Sequence, residues 1–190
     1  MKTINYVLSG LGGQGILFMT KILATSAMKN GYNILGAETH GMAQRGGSVV
    51  SHLRIGDGRS SLIRAGGADF MISMDESEAY RYLPYLKKGG KLFTNTAGKG
   101  FPDERVGAFL DDNRIKAYAM EAGKIALDMG SPKSTNLAMV AFYSAFGEGP
   151  LSADDLRGTV DAMSKGPFKE TNLKIFDTCY EEGKKQAGGQ

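Results

Sequence analysis

The sequence has one cysteine, Cys179, and no tryptophan among its 190 residues. A single cysteine excludes an intrachain disulfide, and it excludes a four-cysteine iron–sulfur cluster held by this chain alone. Cys179 lies in a helical pattern next to the apolar Tyr180. We therefore expect a buried, unreactive thiol in a protein from a reducing compartment.

A strong charge of one sign and a long apolar run are also lacking. Lys and Arg number 23 against 20 Asp and Glu, which leaves a net charge of only +3 and no basic face for nucleic acid. No stretch approaches the roughly 20 apolar residues that cross a bilayer. The first apolar run, Met1–Val7, is too short for a signal peptide. We expect a cytoplasmic protein that binds neither nucleic acid nor membrane.

Hydrophobic periodicity predicts strands that alternate with helices. The predicted strands are residues 3–8, 32–38, 48–55, 68–74, 91–95 and 114–119. The predicted helices are 14–30, 121–128, 136–146 and 169–186, with shorter ones after Asp75 or Ser77 and after a capping box at Ser152 and Asp155. Residues 96–113 are predicted to be mostly loop. This order favours an α/β fold, a single Rossmann-like three-layer domain over 1–190 with a mostly parallel sheet and a helical C-terminal third.

A glycine-rich turn separates the first strand from the first helix and reads Leu-Ser-Gly-Leu-Gly-Gly-Gln-Gly. Glycine tolerates positive φ and lets other atoms approach the backbone, so such a turn can aim free N–H groups at a phosphate or carboxylate. The same turn also suits plain strand-to-helix packing, and the motif leaves both open. The residues that would contact an anion are Gly10, Gly12, Gly13, Gln14 and Gly15.

A dinucleotide site needs, in addition, an acid at the end of the second strand. Glu38 lies there, although later than the usual distance of roughly 20 residues from the turn. A free-standing NAD-binding dehydrogenase or a nucleotide-binding regulatory module is therefore an alternative. A dehydrogenase also needs a substrate pocket with a proton donor, and the sequence shows none.

A second polar, glycine-rich segment follows the second strand, at the edge of the sheet where ligands of open α/β folds collect. Its arginine can clamp an anion or dock on a partner subunit. Its histidine has no partner that would make a nucleophile–base pair, so no catalytic residue and no metal ligand is predicted. The residues expected to contact a partner or line a shared site are His40, Gln44, Arg45, Gly46 and Gly47.

The triplet Gly56-Asp57-Gly58 has the first residues of the signature that binds Mg²⁺ and diphosphate in thiamine-dependent enzymes. That signature also needs an asparagine roughly 25–30 residues further on. Residues 81–88 contain none. Asp57 is therefore predicted to be a residue of a hairpin turn.

The two glycine-rich segments in this order strongly resemble the gamma-type subunit of 2-oxoacid:ferredoxin oxidoreductases. The resemblance is strongest to the beta subunits of the indolepyruvate branch, which carry a stretch like His40–Gly47. It covers essentially the whole chain and identifies 1–190 as a single domain of the pyruvate/ketoisovalerate oxidoreductase gamma type.

The resemblance implies an accessory subunit of a complex that converts a 2-oxoacid and coenzyme A to acyl-CoA, CO₂ and reduced ferredoxin. It implies thiamine diphosphate, Mg²⁺ and [4Fe–4S] clusters on a larger catalytic subunit, and no cofactor held by this chain alone. It further implies that the chain forms a hetero-oligomer with its partners, and it leaves open whether the isolated chain forms a homodimer. The phosphates of coenzyme A offer the glycine turn a ligand.

Overall fold

The computed structural model describes residues 3–40, 46–98 and 100–189, without the side chain of His40. Within these residues six strands form one sheet: β1 (Ile4–Leu11), β2 (Ile34–His40), β3 (Ser48–Ile55), β4 (Ala68–Ser73), β5 (Leu86–Asn95) and β6 (Lys116–Met120). The helices are α1 (Ile16–Lys29), α2 (Glu76–Tyr82), α3 (Glu104–Asp112), α4 (Ala122–Asp128), α5 (Thr135–Ser144), α6 (Ala153–Met163) and α7 (Phe168–Ala187). Short 3₁₀ turns cover Leu83–Tyr85 and Pro132–Ser134.

The strands are arranged in the order β2-β3-β1-β4-β5-β6. Strand β3 runs antiparallel to both of its neighbours, and the other pairs are parallel, so the prediction of a mostly parallel sheet is confirmed. From β1 the chain runs through α1 to β2, and from β4 it runs through α2 to β5. These two connections cross the sheet in opposite directions. Right-handed crossovers in opposite directions place these helices on opposite faces of the sheet.

Both faces of the sheet are covered by apolar side chains, which confirms the three-layer arrangement. Tyr6 and Leu8 point into the larger core with α1, α5 and α7, whereas Val7 points into a smaller core with α2 and α3. Helix α5 is buried from Asn136 to Ser144, in agreement with its apolar sequence. Cys179 is fully buried in α7, and burial raises the pKa of its thiol to about 12.

The caps of two helices agree with the sequence. Asn30 ends α1, and the next residue, Gly31, has φ 76°. At the start of α6, Ser152 Oγ accepts a hydrogen bond from the N–H of Asp155, whose carboxylate accepts one from the N–H of Ser152. Both are local motifs, which is why the sequence alone could predict them.

The prediction of loop over 96–113 is wrong, because this region contains α3. Asp103 caps that helix by accepting a hydrogen bond of 2.9 Å from the N–H of Arg105. Leu110 buries its side chain against the second core. The helix was missed because it is short and mostly polar, and because its stability depends on the tertiary contact of Leu110.

Asp57 is exposed in a bend after β3, where its Oδ1 accepts a hydrogen bond of 3.3 Å from Asn33 Nδ2. The prediction of a hairpin is wrong, since the chain after β3 passes to β4 on the far side of β1. Among the described residues, no helix is both long and apolar enough to cross a membrane.

Candidate functional site

The glycine-rich turn connects β1 to α1, and its glycines serve different purposes. Gly10 lies inside β1, opposite Val49, rather than in the turn itself. Gly15 precedes α1 with φ 81°, and a Cβ on it would lie 2.3 Å from Asn136 Nδ2. Only glycine combines this φ with so close an approach of α5 to the backbone.

Gln14 has a structural partner within the turn. Its Oε1 accepts a hydrogen bond of 2.7 Å from the N–H of Leu11. The same oxygen lies 2.6 Å from the place where a Cβ on Gly10 would be, so glycine at that position makes room for the bond. The side chain predicted to contact a ligand therefore also stabilises the turn.

The second glycine-rich segment is hydrogen-bonded to the first. The N–H of Gly12 donates to the carbonyl of Gly47 at 2.8 Å, and the N–H of Gly46 donates to the carbonyl of Gly12 at 3.3 Å. The backbone of His40 lies inside β2, opposite Val49, rather than in a loop. The side chain of His40 and all of Gln44 and Arg45 lie outside the described residues.

A cavity of about 430 Å³ opens beside the glycine turn. It lies at the carboxyl ends of β1, β4 and β5, where the crossovers through α1 and α2 diverge, and this switch point is the usual ligand position in open α/β sheets. Its wall is formed by Gly13, Gln14, Gly15, Met74, Asn95, Gly123, Pro132, Lys133 and Thr135. Of the residues predicted as ligand contacts, Gly13, Gln14 and Gly15 line this cavity.

Asn95 and Lys133 line the cavity but were not found from the sequence. Asn95 Nδ2 donates to the carbonyl of Met74 at 3.2 Å, and its Oδ1 accepts from the N–H of Gly123 at 2.9 Å, so it ties β4 to the start of α4. Lys133 is exposed, and no carboxylate pairs with it in the described part of the chain. The one sequence signal that could have indicated this part of the cavity was an asparagine at the end of the strand β5.

The electrostatics of this cavity favour an anion. Helices α1 and α5 both begin at its wall, and each presents the positive end of its dipole there. The described lining residues include the cation Lys133 and no carboxylate. These described lining residues also include no nucleophile–base pair, and what the arrangement offers is a place to bind and orient a negative group.

The structure does not bring Glu38 to the glycine turn. Because β3 lies between β2 and β1, Glu38 is two strands away from β1, about 10 Å at normal strand spacing. The register places it level with Leu8, through Ser51, and not with Gly10. The ribose contact of a dinucleotide fold needs this acid close to the turn.

The described residues do not fit the metal or cluster cofactors that the sequence resemblance implies for the complex. The end of β3 pairs with the start of β1. Asp57, which follows β3, therefore lies at the end of the strands opposite the glycine turn. Cys179 is enclosed in the core. Within 3–40, 46–98 and 100–189, no group of three or more acidic, histidine or cysteine side chains is placed to hold a metal ion.

Residues 5–182 match the family described as Pyruvate ferredoxin/flavodoxin oxidoreductase. The chain belongs to this family. It is 37% identical over 191 residues to the indolepyruvate oxidoreductase subunit IorB of Archaeoglobus fulgidus, with 94% of each chain covered. It is 34% identical to the subunit IorB of Pyrococcus horikoshii, with 93% of this chain and 94% of that one covered.

A solved structure agrees with the fold of this oxidoreductase subunit. The gamma subunit of keto/oxoacid ferredoxin oxidoreductase from Geobacter sulfurreducens superposes with a TM-score of 0.73 at 21% identity, over 96% of this chain and 99% of that one. The chain is thus a subunit of a 2-oxoacid ferredoxin oxidoreductase, as its two glycine-rich segments indicate.

Proposed function

We propose that this chain is the accessory subunit of an indolepyruvate ferredoxin oxidoreductase. The observation that carries the proposal is the similarity to IorB subunits along nearly the full length of both chains. In this reaction the 2-oxoacid is oxidatively decarboxylated with coenzyme A to acyl-CoA and CO₂, and the electrons pass to ferredoxin. The complex is a cytoplasmic hetero-oligomer.

The larger catalytic subunit carries thiamine diphosphate, Mg²⁺ and the [4Fe–4S] clusters in this proposal, and ferredoxin docks on the complex. Thiamine supplies the carbanion chemistry, so the protein around it supplies binding and orientation. The buried Cys179 and the distant, exposed Asp57 support the assignment of these cofactors to the partner.

The glycine turn binds a phosphate of coenzyme A. Three observations support this role: the start of α1 at the switch point, the ammonium of Lys133, and the absence of a carboxylate from the described wall of the cavity. A phosphate at a helix N-terminus accepts hydrogen bonds from free N–H groups and is stabilised by the helix dipole.

The segment Thr39–Gly47 contacts the catalytic subunit or lines the site that the two subunits share. The hydrogen bonds of Gly46 and Gly47 to Gly12 support this role, because they place the segment's end next to the glycine turn. A change in this segment should therefore affect assembly or turnover more than the stability of the isolated chain.

The substitution Arg45→Ala tests this proposal in the reconstituted complex. In this proposal Arg45 serves the partner or the shared site and not the fold of its own chain, so we expect the melting temperature of the isolated chain to stay nearly constant, with a change in stability within about 0.5 kcal/mol. We expect assembly or turnover with indolepyruvate, coenzyme A and ferredoxin to weaken by more than about 1 kcal/mol, or at least fivefold.

Arg59→Ala is the matched control, because Arg59 is an exposed arginine at the opposite edge of the sheet. It should leave assembly and turnover unchanged. Normal turnover of the Arg45→Ala complex would overturn the role of the segment. Failure of the unmodified chain to form an active complex with a catalytic subunit would overturn the proposed function itself.

A further inference from the structure

A buried carboxylate contacts the residue that directly follows the second glycine-rich segment. Glu78 of α2 is only 2% exposed. Its Oε1 accepts a hydrogen bond of 2.9 Å from Arg81 Nε, one turn further along the same helix. Its Oε2 accepts a hydrogen bond from the hydroxyl of Ser48. Both oxygens of Glu78 therefore have a donor, as a buried charge requires.

The donors available fix the direction of these hydrogen bonds. A serine hydroxyl has a single hydrogen, and Ser48 gives it to Glu78 because an ionised carboxylate can only accept. The hydroxyls of Ser48 and Tyr82 are 2.9 Å apart, so Tyr82 donates to Ser48. Two side chains of α2 thus hold one hydroxyl at the start of β3.

Ser48 joins α2 to the two glycine-rich segments. It is the first residue of β3. The residue before it, Gly47, accepts the hydrogen bond from the N–H of Gly12, and the N–H of Gly46 donates to the carbonyl of Gly12. A side chain that fixes Ser48 therefore also fixes the end of the segment Thr39–Gly47 against the glycine turn.

Helix α2 has other contacts that hold it on the sheet. Ala79 is fully buried and Leu83, which follows the helix, is 4% exposed, both in the smaller core. Asp75 caps the helix by accepting hydrogen bonds from the N–H groups of Ser77 and Glu78. A buried ion pair adds little net stability, because lost hydration offsets much of the attraction. The main consequence of the Glu78 carboxylate is thus the position of Ser48.

We propose that Glu78 is a positioning residue, which acts through Ser48 to hold the end of the segment Thr39–Gly47 in the geometry that the catalytic subunit binds. The carboxylate keeps the Ser48 hydroxyl in one orientation, and the backbone before it stays hydrogen-bonded to Gly12. Less conformational entropy is then lost when the subunits assemble. The partner in this inference rests on the proposed function, whereas the positioning of the segment's end does not.

Hydrogen exchange of the Gly12 amide tests the positioning in the isolated full-length chain. This N–H stays bonded to Gly47 only while the end of the segment is in place. Glu78→Gln keeps the shape of the side chain but has one acceptor oxygen in place of two, so it cannot accept from both Arg81 and Ser48 as the carboxylate does. We expect the Gly12 amide to exchange about tenfold faster, in keeping with the loss of a hydrogen bond to a charged group.

Glu76→Gln is the matched control for this exchange experiment. Glu76 lies on the same helix, and its Oε1 also accepts from a hydroxyl, that of Thr96. Thr96 follows β5, which is two strands away from β1. The exchange of Gly12 should therefore be unchanged in this variant. Unchanged exchange in Glu78→Gln, or an equal increase in both variants, would overturn the positioning role.

The dissociation constant between the chain and the catalytic subunit tests the consequence for assembly. Glu78→Gln and Ser48→Ala should each raise this constant about tenfold, and the double variant should raise it no further, because both changes break the same link. A purely structural role would lower the melting temperature of the isolated chain and leave the constant unchanged. An unchanged constant in either single variant, or an increase of about a hundredfold in the double variant, would overturn the proposal.

The two measurements distinguish the role of Glu78 from the proposed function. If the unmodified chain binds no catalytic subunit, the proposed function is wrong and the partner is lost with it, while the exchange of Gly12 still decides whether Glu78 positions the segment. If the unmodified chain binds the subunit and Glu78→Gln exchanges and binds in the same way, Glu78 has no positioning role and the proposed function stands.

Discussion

At the scale of single residues, His52 makes the stability of the chain depend on pH. It is 3% exposed in β3, its Nδ1 accepts a hydrogen bond of 3.3 Å from the N–H of Ile63, and its ring packs edge-on against Tyr85. Burial lowers the pKa of His52, and the charge of Arg54 lowers that pKa further. The folded chain therefore holds this imidazole neutral where an unfolded chain would protonate it.

We expect the free energy of unfolding to decrease as the pH falls from about 7.5 to about 5.5. Below the ordinary histidine pKa, the unfolded state binds a proton that the folded state excludes, so acidification favours unfolding. His52→Asn should flatten this dependence while lowering stability at pH 7.5. Urea titrations across the range measure it, and His40→Asn is the control because His40 is the other of the two histidines. An unchanged pH dependence in His52→Asn would refute the role of His52.

At the scale of elements, the loop after α5 joins that helix to β1 through a pair of tyrosines. The hydroxyls of Tyr6 and Tyr143 are 2.8 Å apart, and Tyr143 donates to the carbonyl of Glu148 at 2.7 Å. Gly149 has φ 81°, and a Cβ on it would lie 2.4 Å from the Tyr6 hydroxyl and 2.6 Å from that of Tyr143. The loop can follow this path only with glycine at that position.

Gly149→Ala should lower the free energy of unfolding by roughly 2–4 kcal/mol, because it adds a steric conflict and breaks a buried hydrogen-bonded pair. The matched control is Gly147→Ala in the same loop, where φ is 63° but the Cβ would meet open space. Gly147→Ala should lower the free energy of unfolding by only about 1 kcal/mol, which is the cost of placing alanine in a left-handed backbone conformation. Urea unfolding with constant m measures both. If both variants lose the same free energy of unfolding, the steric conflict with the tyrosine pair adds nothing to the cost of the left-handed backbone.

At the scale of the whole molecule, this chain is one component of a larger enzyme. We expect the purified chain to lack cluster absorbance in the visible range and to leave indolepyruvate, coenzyme A and ferredoxin unconverted. The single buried Cys179 cannot hold a cluster alone, and the thiamine chemistry needs its own cofactor site. Addition of the catalytic subunit should restore turnover, and ferredoxin reduction by the chain alone would contradict this expectation.

The sequence by itself determined the family and most of the local elements, with α3 and the turn at Asp57 as the exceptions. The predicted helix 14–30 corresponds to α1, whose residues Ile16, Met19, Leu23 and Ala27 recur at helical spacing and are buried, and β3 has the predicted bounds, Ser48–Ile55. These features depend on neighbours within a few residues: a periodicity, a cap or a turn. The two glycine-rich segments, in order, were specific enough to indicate the family that residues 5–182 match.

Only the tertiary structure decided which distant residues meet. The insertion of β3 between β1 and β2 separates Glu38 from the glycine turn, although the sequence places it in the right order for a dinucleotide site. The same sheet brings Asn95 and Lys133 to the cavity beside Gly15. Strand order depends on pairings between segments far apart in the chain, and such pairings are selected by the burial of both faces of the sheet. No pattern of neighbouring residues in the sequence indicates the strand order.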